Sequence, residues 1–200
     1  MGTFLIVGLG NPGPEYASTR HNIGWVALDE LVREVGSPAL RKKFQGDVGK
    51  GTLAGSECIL LRPGTFMNES GRSVQPAAAF FQVPPRDLIV LHDELDLPFG
   101  DVRIKVGGGH AGHNGLRSLV QHLGTGDFTR VRFGIGRPPA GFAGEVADFV
   151  LSGFSASERP GVDAMVASGV RWVTMILERG VDRAMKEANT RDREGKKSGN

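Results

Sequence analysis

The sequence predicts a single-domain α/β fold, a twisted mixed β-sheet flanked by helices, and three observations carry that expectation. The first is length: 200 residues are enough for one full core and match the usual size of one domain. The second is that short apolar runs and alternating stretches, which mark strands, interleave with stretches at helical spacing. The third is that some strand-like stretches neighbour one another as in a hairpin, which makes the sheet mixed.

In order along the chain, Phe4 to Leu9 is a short apolar run ending at Gly10 and reads as a buried strand. From Ile23 to Val35, Ile23, Val26, Ala27, Leu28, Leu31, Val32 and Val35 fall at helical spacing, and Gly36, Ser37 and Pro38 end the pattern. Strands are expected near Asp47 to Leu53, Glu57 to Leu61, Asp87 to His92, Val102 to Val106 and Thr129 to Ile135. Helices are expected near Ser70 to Phe81, Leu116 to Leu123 and Gly161 to Glu178, with a last short one after Gly180. Pro76 strains the second helix unless it lies in the first turn. No internal repeat or long low-complexity linker divides the chain. Residues 1–190 are expected as the folded domain and residues 191–200 as a polar, disordered tail.

Composition narrows the function. Thirty glycines, about twice the usual share, call for loops with special backbone geometry. The lone Cys58 excludes an internal disulfide framework and a CxxC site, and its apolar setting reads as core. The N-terminus has only a few apolar residues and no basic segment before them, so neither a signal peptide nor a membrane span is expected, and the expected location is the cytoplasm. The net charge is +2, but the last eleven residues hold four Lys or Arg and two Asp or Glu, so the remaining 189 balance to zero. Any nucleic-acid surface must come from local clustering in a neutral body.

Two motifs mislead. Gly8, Gly10 and Gly13 match G-x-G-x-x-G after the first strand, yet Pro12 and Pro14 bracket Gly13 and the helix begins only around His21. In a dinucleotide-binding turn the third glycine packs within a helix that starts at once. The loop instead presents Asn11 from a strand end. His110 and His113, with His92 further back, suggest a metal site, but a glycine-rich loop lacks the rigid ligand spacing that zinc requires, and loop hydrogen bonding is the commoner role.

His21 lies at the start of the first helix, near the positive end of its dipole, which is expected to lower its pKa and favour the neutral, basic form. Asp93 follows the apolar strand DLIVLH, where a carboxylate either holds an imidazole in one tautomer or is simply a solvated loop charge. Asn11, Asn68 and Asn114 sit at loop or helix-start positions and are either turn and cap residues or neutral groups for a peptide backbone or ester carbonyl. Ser70 lacks the nucleophile elbow of serine hydrolases, which leaves water as the nucleophile. Arg103 and Lys105, and Arg130 and Arg132, place two cations on one face of each strand. Such stripes form either a solvated face or a phosphate-binding surface that Arg20 and Arg137 could extend.

The segments VGLGNPGPEYASTRHNIGW, RPGTFMNESG, LHDELDLPFG, KVGGGHAGHNGLRS and VRFGIGRP resemble, in order and separation, the signature segments of bacterial-type peptidyl-tRNA hydrolases. The resemblance spans residues 4–153. It implies a monomeric, metal-free and cofactor-free α/β enzyme that cleaves the ester between a peptide and the terminal ribose of tRNA. It implies His21 as catalytic base, Asp93 as its orienting carboxylate, and Asn11, Asn68 and Asn114 as substrate-holding amides. Tyr16, Met67 and His113 match positions lining the same cleft, and Lys105 and Arg132 match positions associated with tRNA phosphates. The chain departs from the pattern at Gly64 and Glu69, around TFMN, and at Ala111, where glycine is usual. The rival readings are a noncatalytic RNA-binding module and a metal-dependent hydrolase.

Overall fold

The computed structural model describes residues 2–195. Seven strands form one sheet: β1 (Thr3–Gly8), β2 (Arg41–Lys43), β3 (Gly46–Leu53), β4 (Ser56–Pro63), β5 (Leu88–Glu94), β6 (Val102–Val106) and β7 (Thr129–Gly134). Their order is β2-β3-β4-β1-β5-β7-β6. The central strands β4, β1, β5 and β7 run parallel, while β2/β3, β3/β4 and β6/β7 pair antiparallel. The mixed sheet expected from the sequence is therefore present: the β2-β3-β4 hairpins form one edge, and at the other β6 pairs antiparallel with β7 across the α3 connection.

Among the described residues, six α-helices flank it: α1 (Ile23–Glu34), α2 (Gly71–Phe80), α3 (Asn114–Leu123), α4 (Val146–Val150), α5 (Arg159–Arg179) and α6 (Val181–Gly195). Period-two alternation divides the side chains of the strands, with Phe128 just before β7, between two cores. Ile6, Leu60, Ile89, Val131 and Phe133 join Leu28 of α1 and Trp172 of α5 on one face. Leu5, Val7, Ile59, Val90 and Phe128 join Val74 of α2 and Leu116 and Leu119 of α3 on the other. Burial on both faces is why β4, β1 and β5 carry continuous apolar runs, whereas β7 alternates Arg130 and Arg132 with apolar residues.

The expected elements form within a residue or two of their limits, except the last helix, expected to be short, which runs for 15 residues. Among the strands and α-helices of the described residues, two short elements escaped the sequence. Strand β2 is three exposed cations, with no apolar pattern to mark it. Helix α4 is held at its start by a capping box, Glu145 with Asp148, in place of a long apolar stripe. Pro76 lies in the interior of α2, away from its first turn. It shares a solvent-facing stripe with Arg72 and Gln75, where water can serve the carbonyl that its missing N–H leaves unpaired. Helix α6 continues to Gly195, five residues into the segment expected as a tail, and residues 196–200 lie outside the described residues. Asn189 of α6 blunts the β6 edge: its amide accepts from the Ile104 N–H at 3.1 Å and donates to the Ile104 carbonyl at 3.0 Å.

The connections leaving β1 and β5 run to opposite sides of the sheet, β1 through α1 towards β4 and β5 towards β7. The C-terminal ends of these adjacent strands therefore border a crevice, the usual place for a site in an open α/β sheet.

Candidate active site

His21 sits in a 3-10 turn, Arg20–Asn22, that leads into α1 beyond the end of β1. Asp93 is near the C-terminal end of β5. Strand order brings them together: His21 Nδ1 lies 2.9 and 2.8 Å from the two Asp93 carboxylate oxygens. His21 Nε2 has no hydrogen-bond partner among the described residues. With Nδ1–H donated to Asp93, Nε2 carries the lone pair and is positioned to accept a proton.

His113 binds the same carboxylate from the other side, with Nε2 2.8 Å from Asp93 Oδ1. It also caps α3, its Nδ1 accepting from the N–H groups of Gly115 and Leu116 at 3.1 and 3.3 Å. Those bonds place the His113 proton on Nε2, where it is donated to Asp93. His92 packs edge-on against His113, with centroids 5.1 Å apart, and lies 2.7 Å through Nδ1 from the Asp93 carbonyl. Burial, with the neighbouring His113 adding to it, pushes the His92 pKa down to about 3, so it remains a neutral donor.

The electrostatics differ from the helix-dipole expectation. Burial disfavours the charged form of His21, but the Asp93 charge and hydrogen bond together more than reverse this, and the His21 pKa is raised. Burial alone would raise the Asp93 pKa, yet His21 and His113 hold it well below the ordinary carboxylate range. The carboxylate stays ionised although only 3% exposed.

Asn11 is fixed by a residue the sequence reading missed. Asn22 is fully buried, and its side-chain amide accepts from the Asn11 N–H and donates to the Asn11 carbonyl, both at 2.9 Å. Asn11 Oδ1 then accepts from the Met67 N–H at 2.7 Å, which leaves the Asn11 amide hydrogens for a ligand. Met67 packs so closely on Gly115 that a β-carbon there would lie 2.6 Å from its sulfur. This contact ties the Asn11–Met67 pair to the His113 end of α3.

Asn68, in the 3-10 turn Met67–Glu69, and Asn114, the first residue of α3, are exposed on either side of this contact. Tyr16 is half-buried and meets Phe66 edge to face at 6.4 Å. Phe66 was not singled out in the sequence, yet it stands 54% exposed beside the site. Cys58 is buried and its thiol is pushed up to about 11 by burial, in keeping with a core role.

Among the described residues, His21, Asp93 and His113 form the group whose ligand-type atoms gather within 4.8 Å. Their nitrogens meet the carboxylate at hydrogen-bonding distance, with both protons aimed at it. A metal bound between them would require those protons to leave and the rings to move outward. The donor set fits a hydrogen-bonded relay better than an ion.

The cationic stripes part company. Register places Arg103 opposite Arg132 and Lys105 opposite Arg130 across β6 and β7, so all four share one sheet face. Lys105 is exposed and folds over Gly108, and Arg132 is half-buried with Glu94 at 3.4 Å. Arg130 is only 2% exposed and donates to the carbonyls of Gly108, Gly109 and Gly126. It anchors the glycine loop that precedes His113 and is not a phosphate contact. Arg20 is likewise removed from the surface, paired through both terminal nitrogens with Glu158 at 2.9 and 3.0 Å and stacked between Phe149 and Phe154. Arg137 is exposed and paired with Asp96.

The family model described as peptidyl-tRNA hydrolase matches residues 5–197 of the chain. The chain belongs to the peptidyl-tRNA hydrolase family. A relative named peptidyl-tRNA hydrolase from Sorangium cellulosum is 60% identical over 193 residues, covering 96% of this chain and 86% of that protein. Another so named, from Geobacter metallireducens, is 48% identical over 192 residues, covering 96% and 97%. The crystal structure of peptidyl-tRNA hydrolase from Acinetobacter baumannii superposes with a TM-score of 0.86 at 41% identity, covering 94% of each chain. The fold and the family expected from the signature segments are thus both found. Ala111, a departure from the family pattern, adopts a left-handed φ of 49°, a conformation that favours glycine. Gly64 and Glu69, the other departures, border a slot beside Phe66.

Proposed function

We propose that this chain hydrolyses the ester between a peptide and the 3′-terminal ribose of tRNA, releasing tRNA and peptide, with His21 as general base. The observation that carries the assignment of roles is the pairing of His21 with the ionised Asp93 beside the uncharged amides of Asn11, Asn68 and Asn114. His21 Nε2 takes a proton from water as the water oxygen bonds to the ester carbonyl carbon. Negative charge then develops on the carbonyl oxygen, where an asparagine amide or backbone N–H stabilises it. The tetrahedral species collapses by breaking the bond to the ribose 3′-oxygen, and His21 returns its proton to that oxygen. Water supplies the hydroxyl of the new peptide carboxyl group, and neither a covalent enzyme intermediate nor a cofactor enters the balance.

Asp93 keeps His21 in the Nδ1–H tautomer and stabilises the imidazolium formed in transit. His113, by donating to the same carboxylate, holds Asp93 in place. Asn11, Tyr16, Met67, Asn68 and Asn114 hold the peptide end, and Lys105 and Arg132 take tRNA phosphates on the β6–β7 side.

Among the described residues no helix is long and apolar enough to cross a membrane, and a cytoplasmic, monomeric enzyme is part of the proposal. Its support is that tRNA, a component of cytoplasmic translation, is the substrate. The test is ester cleavage of N-acetylaminoacyl-tRNA and of free aminoacyl-tRNA, each with and without chelator. Chelator-resistant cleavage of only the blocked substrate is expected. Loss of activity with chelator would overturn the water-and-histidine mechanism, and RNA binding without cleavage would overturn the enzymatic reading.

A further inference from the structure

A slot of about 600 Å³ opens beside the site, lined by Pro12, Phe66, Gly64 and Glu69 on one side and by Lys42 and Lys43 of β2 on the other. Pro12 and Phe66 are the chain neighbours of Asn11 and Met67, which hydrogen-bond to each other, so the slot is continuous with the substrate-holding amides. Its position in the sheet gives it a role. The reacting groups follow β1 and β5, and the proposed phosphate contacts lie on β7 and β6. An ester has two arms; with the RNA arm drawn towards β7 and β6, the acyl arm leaves in the other direction, across β4 and β3 towards β2. Three strand spacings of roughly 4.8 Å separate β1 from β2, about the span of four extended residues.

We propose that this slot binds the peptide arm beyond its first residues and favours acidic side chains about four residues from the ester. The inference rests on the peptidyl-tRNA reading above. The charge supports it. Lys42 and Lys43 are exposed, and the Glu69 carboxylate on the facing wall is already paired with Arg72 at 3.0 Å. Lys42 meets Asp47 at 2.6 Å, but Asp47 also binds Arg62 at 2.9 Å, so it keeps a cation when Lys42 turns to a substrate carboxylate. The Lys43 ammonium is held over the Phe80 ring at 3.6 Å, which limits the freedom it would lose on binding. Lysines do blunt edge strands against pairing, but that role needs no slot leading to a catalytic histidine. Gly64 and Glu69, both departures from the family pattern, border this slot, which makes the preference a property of this chain.

The test uses one tRNA carrying either of two N-acetylated pentapeptides that differ only at the fourth residue from the ester, Asp or Lys, so the RNA contribution cancels. At low salt the Asp substrate is expected to show kcat/KM higher by about fivefold, as fits weak surface ion pairs. In K42E/K43E the preference is expected to invert, whereas Arg86→Glu, just before β5 at the opposite end of the sheet, keeps it. Equal rates for the two peptides in the wild-type protein, or an equal change in R86E, would overturn the proposal. N-acetylaminoacyl-tRNA, too short to reach the slot, separates the two readings. If it is cleaved while the pentapeptides are not distinguished, the slot alone fails; if it is not cleaved, the function fails.

Discussion

Asp93 Oδ1 is shared by two imidazoles, His21 through Nδ1 at 2.9 Å and His113 through Nε2 at 2.8 Å, centred 5.0 Å apart. One carboxylate thus orients the base and is itself held by a helix cap. The arrangement makes His21 chemically different from the other histidines, and the expected consequences can be measured.

Replacing His21 by Ala removes the proton acceptor while sparing the groups that hold substrate. The expected outcome is a fall in kcat of about 10²–10⁴-fold with little change in KM. Near-normal turnover by H21A at saturating N-acetylaminoacyl-tRNA would show that another group is the base.

The pH dependence follows from the direction of the His21 shift. The base works only when neutral, so kcat/KM rises with pH through its pKa, and Asp93 places that limb above the ordinary histidine value of about 6.5. In Asp93→Asn the charge is gone and burial remains, so the limb is expected to move below that value, with a loss of about a hundredfold or more from the lost tautomer control. A pH profile of D93N with an unmoved limb would break the link.

Asn22 is a positioning residue. In Asn22→Asp the bond accepted from the Asn11 N–H survives, but the donor to the Asn11 carbonyl becomes a second acceptor inside a fully buried pair. A loss of about 3 kcal/mol of stability is expected, read by urea unfolding, together with reduced kcat as Asn11 loses its place. An unchanged urea midpoint would deny the clamp any structural weight.

Lys105→Ala and Arg132→Ala are expected to raise KM with kcat nearly constant. Each should lower the slope of log KM against log salt by about 0.7–0.9, the share of one phosphate contact. Arg130→Ala should behave differently, losing stability, because its guanidinium is spent on three loop carbonyls. A salt slope that stays the same in K105A and R132A would remove them from the phosphate surface.

Ala111 holds a left-handed φ of 49° in the loop before His113, which costs a non-glycine residue about 1 kcal/mol. Ala111→Gly relieves the strain, partly offset by glycine's greater freedom in the unfolded chain, and a melting temperature higher by about 2 °C is expected. A lower melting temperature would mean that the alanine methyl makes a favourable contact.

The strands, the amphipathic helices and the mixed character of the sheet are legible in the residue pattern, because apolar periodicity reports which side of an element is buried. The sequence also placed His21 at a helix start, Asp93 near a strand end and the asparagines on loops, and its signature segments pointed to the right family. Periodicity does not report which partner a side chain meets. Only the tertiary structure joined His21 to Asp93 across 72 positions, through the adjacency of β1 and β5, and that contact reversed the pKa shift expected from the helix dipole alone. Only the fold showed that Asn22, unremarkable in sequence, clamps Asn11, and that Phe66 stands exposed beside it. Arg130 and Arg132 look alike in an alternating strand. A loop that presents three carbonyls to one of them and leaves the other partly exposed beside Glu94 exists only once β6, β7 and α3 have come together, because the burial of a charge depends on the acceptors that distant segments bring to it.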